Sequence, residues 1–314
     1  MTRGILDSMR AKWWFGVLVC WLLSVGAHAQ DKLIYCNEPE RIRDAGTYAD
    51  ARLLAGQSYT VFYHFRNSSN DTGDFVVQLK SLTEESFSFS SKQGLADPES
   101  DPPSVGRQAM ARYLRAPEKP IAAAKGVARF TYKLSHHQVA SGMMTIKADK
   151  NIRMRIYYKH DKWDAPRMRT LVLDSPRCEI AVPLSGELAR QSFRIGLPER
   201  DTNKTRLRDG SYGMIYSFKI AAPEGRKVRI GFIPRGGKAG IVGMLGGDLI
   251  VSEIYEAYER GTFCDALVGP RGELQLTTSP FGGVFYPVEL TFQLLPAVAA
   301  SSSSGPSAQR FHPD

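Results

Sequence analysis

The sequence is poor in the residues that most often carry catalysis or bind metals. It has only four cysteines and six histidines among 314 residues, and no Cys/His spacing typical of structural zinc occurs. It also lacks the Gly-x-Ser-x-Gly and His-Glu-x-x-His signatures of hydrolases and metallopeptidases. These absences predict a non-catalytic protein that needs no cofactor and no metal ion.

Long hydrophobic runs are absent apart from one near the N-terminus. Basic residues precede the apolar run at residues 13–25, and the small-x-small motif Ala27-His28-Ala29 follows it. This pattern is typical of a cleaved export signal over residues 1–29, and the run is shorter than a membrane span requires. We therefore expect a periplasmic or extracellular protein whose mature chain keeps no transmembrane anchor.

Acidic residues are outnumbered by basic ones. Lysine and arginine total 41 against 32 aspartates and glutamates, which gives a formal net charge of +9. The predicted export signal holds three basic residues and one acidic residue, so most of the surplus belongs to the mature chain. A basic surface attracts polyanions. Because exported proteins rarely meet nucleic acid, we expect a cell-envelope polymer or envelope protein as the partner; the sequence leaves the oligomeric state open.

Three cysteines follow the export signal, namely Cys36, Cys178 and Cys264. An oxidising compartment permits one disulfide among them. A bridge between Cys36 and Cys178 would join the two ends of the first predicted domain, and we rank it ahead of a bridge between Cys178 and Cys264. The composition therefore predicts one disulfide and one remaining thiol.

Short runs with two-residue alternation dominate the sequence and predict an all-β protein. In the run Tyr59–Phe65, for example, alternate residues fall on opposite faces of a strand. Many such runs without intervening helical periods are typical of sandwiches. We predict two tandem β-sandwich-like domains, at 30–175 and 176–296. The Ser- and Ala-rich residues 297–314 are predicted to be a disordered tail.

One helix is predicted inside the first domain. Ser104 is a suitable N-cap, and a single apolar stripe follows it at helical spacing. The stripe consists of Val105, Ala109, Met110, Tyr113 and Leu114. The simplest interpretation is a crossover helix that covers one end of the sandwich, and the alternative is a basic helix that faces a ligand.

Aromatic and glycine-rich segments supply the candidate ligand-binding residues. The segment from Pro234 to Gly247 is rich in glycine, yet it lacks the Gly-Lys-Ser/Thr of a phosphate-binding loop, so a glycine-rich hairpin is the better interpretation. Flat aromatic rings can stack on sugars, an arginine can meet an anion, and glycines allow close approach of a backbone. The candidates are Tyr63, His64, Asn67, Tyr212, Arg235, Gly236, Gly237 and Tyr286.

Several stretches of the chain resemble secreted bacterial proteins of a family in which some members carry a copper amine oxidase N-terminal-like stalk domain. The resemblance lies in the segments 59–67, 105–109, 139–143, 209–213, 234–237 and 281–288. It implies an extracytoplasmic β protein, and it implies no established activity, copper ligand or quinone cofactor.

Three functions are open at this point. The leading hypothesis is an exported, non-catalytic, envelope-associated binding or scaffolding protein that contacts acidic polysaccharide. The second is a periplasmic assembly chaperone that acts by strand addition to a partner. The third is an enzyme acting on carbohydrate or peptide, which would need catalytic residues that converge from distant strands.

Overall fold

A computed structural model describes residues 31–36, 41–159, 170–174, 177–197, 199–200, 207–208 and 210–297. The predicted export signal at 1–29 lies outside these residues, and so do residues 298–314 of the predicted tail. The chain is mostly β and carries one α-helix. The strands form two β-sandwiches in tandem, as the alternation pattern predicts.

The first sandwich contains two sheets. Its first sheet consists of β1 (Lys32–Cys36), β2 (Arg41–Ile42), β4 (Ser58–Asn67), β6 (Phe87–Leu95), β7 (Lys119–Ala123), β9 (Val139–Ala148) and β11 (Leu171–Asp174). Its second sheet has the order β3 (Gly46–Leu53), β10 (Ile152–Tyr158), β5 (Gly73–Ser81) and β8 (Val127–Leu134). Inward-facing residues of both sheets form one apolar core, with Val61 and Phe65 from β4 and Val77 and Ile156 from the second sheet.

Strand β1 brings the N-terminal and C-terminal strands of the first sandwich together in one sheet. Strand β1 pairs in parallel with β4 and antiparallel with β11, in a register that places Lys32 opposite Asp174. The Lys32 ammonium and the Asp174 carboxylate lie 2.6 Å apart.

The predicted Cys36–Cys178 bridge is not formed, because the two cysteines pack against different cores. The structure has no disulfide among the three described cysteines. Cys36 lies at the opposite end of β1 from Lys32, about 13 Å away along the strand. Cys178 follows Arg177, whose guanidinium pairs with Asp31 at that distant end. Cys36 is buried in the core of the first sandwich, whereas Cys178 packs against the core of the second.

The helix α1 (Pro102–Arg115) lies at the junction of the two sandwiches. The predicted apolar stripe is buried, but the N-cap is Asp101, whose carboxylate accepts the Ser104 N–H at 3.2 Å. The helix packs on β6 and β9 of the first sheet rather than covering a sandwich end. Within the described residues, no helix is both long and apolar enough for a membrane span.

The second sandwich also contains two large sheets. The third sheet has the order β12 (Arg177–Pro183), β16 (Ile215–Ala221), β21 (Glu273–Thr278), β18 (Val242–Leu245) and β19 (Asp248–Val251). The fourth sheet has the order β13 (Arg190–Ile195), β22 (Val288–Leu294), β17 (Lys227–Pro234) and β20 (Gly261–Leu267). A two-stranded pair, β14 (Glu199–Arg200) and β15 (Leu207–Arg208), completes the strands.

The core of the second sandwich extends into the junction with the first. Phe218 and Phe292 face each other across the third and fourth sheets, with ring centroids 5.1 Å apart. The same cluster includes Phe62 from the outer side of β4 and Met110 from α1. The first sheet is therefore buried on both sides, and nearly every residue of β4 and β9 is buried.

Candidate functional site

The outer side of the fourth sheet is an open, polar surface. Along β22, Leu290, Phe292 and Leu294 face the core, so the alternate residues Glu289, Thr291 and Gln293 face outward. We call this outward surface, from Arg190 on β13 across to Thr262 on β20, the arginine face.

Side chains on the arginine face are arranged in rows across the strands. In one row Arg190, Gln293, Arg229 and Asp265 lie opposite one another on four neighbouring strands. In the next row, Ser192, Thr291, Gly231 and Thr262 occupy the same strands. Neighbouring strands lie about 5 Å apart, and successive rows lie about 7 Å apart. Guanidinium, amide and hydroxyl groups therefore recur about every 5 to 7 Å across this surface, so a long-chain ligand can contact several of them at once.

A shallow cleft of about 280 Å³ lies in the middle of this surface. Gly231 forms part of its floor, and a Cβ at this position would come within 2.8 Å of the Thr291 hydroxyl. Because glycine carries no side chain, the cleft stays open above the strand. Its walls are formed by Arg190, Arg229, Arg260, Thr262, Thr291 and Gln293, with Phe232, Ile233 and Gly261 beneath them.

The arginines of this cleft have different partners. Arg229 donates from Nε and Nη2 to the two carboxylate oxygens of Asp265, each at 2.8 Å. This pairing lowers the pKa of Asp265 and raises the pKa of Arg229. Arg190 and Arg260 are exposed and form no ion pair with a described residue. Two guanidinium groups of the cleft can therefore bind an anion without breaking an existing pair.

One end of the arginine face carries an exposed aromatic residue. Arg235 donates to Glu289 from Nη2 at 2.8 Å and from Nε at 3.1 Å, which fixes its guanidinium. That guanidinium lies 5.7 Å from the centre of the Tyr258 ring. Tyr258 is 67% exposed. Sequence reasoning selected Arg235 but missed Tyr258, because a lone tyrosine in a charged segment gives no signal in the sequence.

The predicted residues of the second half converge around the glycine-rich loop. A Cβ at Gly236 would lie 2.1 Å from the Tyr286 carbonyl oxygen, and one at Gly237 would touch the Phe285 ring. The Tyr212 and Tyr286 rings meet edge to face at 5.8 Å. Tyr286 is buried, which raises its pKa, and its hydroxyl donates to the Gly240 carbonyl at 3.3 Å. Of this group, Tyr286 is buried, Tyr212, Arg235 and Gly237 are partly exposed, and Gly236 is exposed.

Tyr63 and Asn67 are buried in the interior of the first sandwich and form hydrogen bonds there. The Tyr63 hydroxyl shares a 2.5 Å hydrogen bond with the Tyr132 hydroxyl, and burial raises the pKa of Tyr63. The Asn67 amide donates to the carbonyl oxygens of Asp71 and Leu134 and to the Tyr158 hydroxyl. Both residues are fully buried, so no ligand reaches them in this structure.

His64 lies between the two sandwiches. It faces away from the Tyr63 side of β4, and a Cβ at Gly282 would lie 2.3 Å from its Nδ1 atom. The imidazole is buried, its Nδ1 has no hydrogen-bond partner among the described residues, and burial lowers the pKa of His64 to about 4. His64 is therefore a neutral packing residue at this junction.

We expect this histidine to make the protein less stable in acid. The folded pKa of about 4 lies below the ordinary value of 6.5, so the unfolded chain takes up this proton first. The free energy of unfolding should fall by about 3 kcal/mol as the pH drops from 7 through 6.5 to 4. Urea unfolding at several pH values measures this loss. His64→Gln should flatten the dependence, whereas the exposed control His136→Gln should keep it; equal profiles in all three proteins would contradict the prediction.

A larger cleft of about 520 Å³ lies on the third sheet and is a weaker candidate. Its charged lining residues are Lys219, Arg271 and Glu273. The Lys219 ammonium lies 2.6 Å from the Glu179 carboxylate, which lowers the pKa of Glu179 and raises that of Lys219. Because positive and negative groups are nearly balanced there, this cleft attracts a polyanion less than the arginine face does.

Two of the described thiols, Cys36 and Cys264, have raised pKa values, and the described acidic residues form no metal-ligand cluster. Burial and the neighbouring Asp265 charge raise the pKa of Cys264 to about 11, and burial raises the pKa of Cys36. Both thiols are thus protonated at neutral pH and poorly nucleophilic. Among the residues that the structure describes, no three His, Cys, Asp or Glu side chains come together as metal ligands.

Comparisons with known proteins identify no family for this chain. No family model matches it, and no curated protein matches it. One similar solved structure is the N-terminal CBM22-1-CBM22-2 tandem domain from Paenibacillus barcinonensis Xyn10C, at 8% identity and a TM-score of 0.19 over 82% of this chain and 99% of that chain. Another is the PBSX exported protein XepA, at 8% identity and a TM-score of 0.17 over 80% and 86%. TM-scores this low say nothing about ligand or location.

Proposed function

We propose that this protein is an exported, non-catalytic binding protein that holds an acidic polysaccharide on its arginine face. The single observation that carries the proposal is the cleft of the fourth sheet, where Arg190 and Arg260 point into an open surface without an ion pair to a described residue. The net positive charge of the chain supports it, because the charge raises the local concentration of a polyanion.

The shape of the site favours a polymer over a small molecule. Small-molecule sites bury most of their ligand in deep, largely apolar cavities. The arginine face is instead flat, and its hydroxyl and amide groups stand in rows beside the guanidinium groups. Guanidinium groups bind carboxylates and sulfates through paired hydrogen bonds, while Thr291 and Gln293 can bond sugar hydroxyls. Many weak contacts along one chain then add up to useful affinity.

The edge of this sheet favours polymer binding over strand addition to a partner protein. Strand β13 is the edge strand beside β22, and its outward residues are Arg190, Ser192 and Arg194. Charged side chains on an edge strand discourage pairing with another chain. The chaperone hypothesis therefore gains no support from this edge.

Replacing three arginines of the cleft should weaken binding about 100-fold. We expect the triple variant Arg190→Gln, Arg229→Gln and Arg260→Gln to lose this much affinity for polygalacturonate in calorimetric titrations at low salt. Each lost charge-assisted hydrogen bond contributes about 1 kcal/mol at such an exposed site, and about 2.7 kcal/mol corresponds to the stated change. Raising the salt concentration should weaken the wild-type complex, because exposed charges are screened.

A control with the same change in charge separates the site from general basicity. The variant Lys119→Gln, Lys133→Gln and Lys147→Gln removes three exposed positive charges from the first sandwich. We expect it to bind polygalacturonate within about threefold of wild type, since long-range charge alone contributes little. An equal loss in both triple variants would show that net charge, and not the arginine face, causes binding. Absence of wild-type binding would refute the proposed function.

A further inference from the structure

Tyr258 is an exposed aromatic residue in a surface turn. Two thirds of the residue is exposed, and its hydroxyl makes no hydrogen bond with a described residue. Its φ of +66° lies in the left-handed region, which is unfavourable for a bulky side chain. The Tyr258 N–H donates to the Pro234 carbonyl at 2.8 Å and holds this conformation. The Glu259 N–H donates to the Glu256 carbonyl at 3.2 Å, which closes a turn with Tyr258 at its third position, where several turn types have a positive φ. The turn presents the ring to solvent.

The Tyr258 ring lies beside hydrogen-bond donors that are held in place. The guanidinium of Arg235 covers part of the ring and is itself fixed by two hydrogen bonds to Glu289. Those two bonds use Nε and one hydrogen of Nη2, so the Nη1 group of Arg235 keeps its donors for another molecule. Two residues further along the chain, Arg260 lines the cleft of the arginine face. The ring thus lies beside fixed hydrogen-bond donors and close in the chain to a residue of the cleft.

We infer that Tyr258 and Arg235 form a subsite that stacks one pyranose ring of the bound polymer. A flat ring matches the apolar face of a sugar, and Arg235 can donate to the oxygen atoms at the edge of that sugar. The inference rests on the proposed function, because the arginine face supplies the rest of the contact. It adds that the site selects a polysaccharide over polyanions that have no sugar ring.

The charges near Tyr258 support stacking rather than simple ion pairing at this end. Glu256 and Glu259 flank the tyrosine, and the Glu259 carboxylate accepts the Glu256 N–H at 3.0 Å. Together with Glu289, which pairs with Arg235, these carboxylates offset the positive charge of Arg235. A polyanion without sugar rings therefore gains little from this end, whereas a sugar gains contact area and hydrogen bonds with groups of both signs.

The experiment compares two polyanions on three proteins. Polygalacturonate and long-chain polyphosphate are titrated by calorimetry into wild type, Tyr258→Asn and Tyr258→Trp. Asparagine tolerates a positive φ, so the unfolding midpoint of Tyr258→Asn should not fall. We expect Tyr258→Asn to lose about tenfold in affinity for polygalacturonate, as stacking energies of about 1 kcal/mol or more imply. Polyphosphate binding should stay unchanged, and Tyr258→Trp should keep the wild-type preference.

The outcomes separate this subsite from the site as a whole. If wild type binds neither polyanion, the proposed function itself fails. If wild type binds polygalacturonate and Tyr258→Asn binds both polymers as wild type does, or loses both equally, the stacking subsite is refuted while the arginine face stands. Leu54→Ala serves as the control, because this exposed side chain belongs to the first sandwich and lies outside the arginine face. A tenfold loss in this control would also overturn the assignment.

Discussion

The Phe62→Ala variant is expected to lose about 4 kcal/mol of unfolding free energy. Removal of a buried phenylalanine ring costs about 3–5 kcal/mol, from lost apolar contact and from the cavity left behind. The Phe62 ring is 2% exposed and packs nearly parallel to the rings of Tyr35 at 6.0 Å and Tyr212 at 5.9 Å, which themselves lie 6.5 Å apart. Tyr35 belongs to the first sandwich and Tyr212 to the second, so the cavity would open at the junction.

Chemical denaturation provides the measurement and shows where the loss occurs. In wild type we expect one transition, because a continuous apolar cluster joins the second sandwich to the outer side of the first sheet. In Phe62→Ala the two sandwiches should separate into two transitions. The control is Phe285→Ala, whose ring is 55% exposed and should contribute less than about 1 kcal/mol. Equal losses in the two variants would show that Phe62 does not anchor the junction.

Replacing Gly106 by valine should cost about 3 kcal/mol or more. Glycine within a helix is normally less favourable than alanine by about 1 kcal/mol, but Gly106 faces the Gly282 backbone. A Cβ at position 106 would lie 1.9 Å from the Gly282 carbonyl oxygen. The loop that carries Gly282 also packs against His64, which restricts its movement away from the helix. Overpacking costs about 1–3 kcal/mol for modest insertions. Here the added side-chain atoms meet a backbone carbonyl, which yields less easily than a flexible side chain.

Two further variants distinguish steric conflict from helix propensity. Gly106→Ala should also destabilise the protein, although an alanine would stabilise an exposed helix. Gly269→Ala should change stability little, because no atom lies within 4 Å of the added Cβ. Thermal unfolding of the three variants tests this order. A stabilised Gly106→Ala protein would mean that the helix and the loop do not meet as closely as described.

The sequence predicted local structure well where alternation or helical spacing is strong. The run Tyr59–Phe65 lies within β4, and its residues Tyr59, Val61, Tyr63 and Phe65 face the first core as predicted. The helical stripe from Val105 to Leu114 is buried in α1. Both patterns depend only on neighbouring residues, so they can be read without knowledge of the fold.

Features that depend on distant strands could not be predicted in this way. The alternation of Arg190, Ser192 and Arg194 indicates a polar side of β13, but only the pairing with β22 and β17 brings Arg190 level with Arg229. The burial of the candidates Tyr63, His64 and Asn67 could not be predicted for a related reason. Their aromatic and polar character suggested a ligand site, whereas the first sheet is buried on both sides. Which side of a strand meets a second sandwich is not visible in its own sequence.

The adjacent ends of the first sandwich have a consequence for engineering. Because Lys32 and Asp174 pair at 2.6 Å on neighbouring strands, a short peptide link can join these positions without stretching either strand. New termini can then be opened in an exposed hairpin turn, such as the one between β8 and β9 around His136. A circularly permuted form of the first sandwich would keep every sheet pairing while beginning its chain elsewhere.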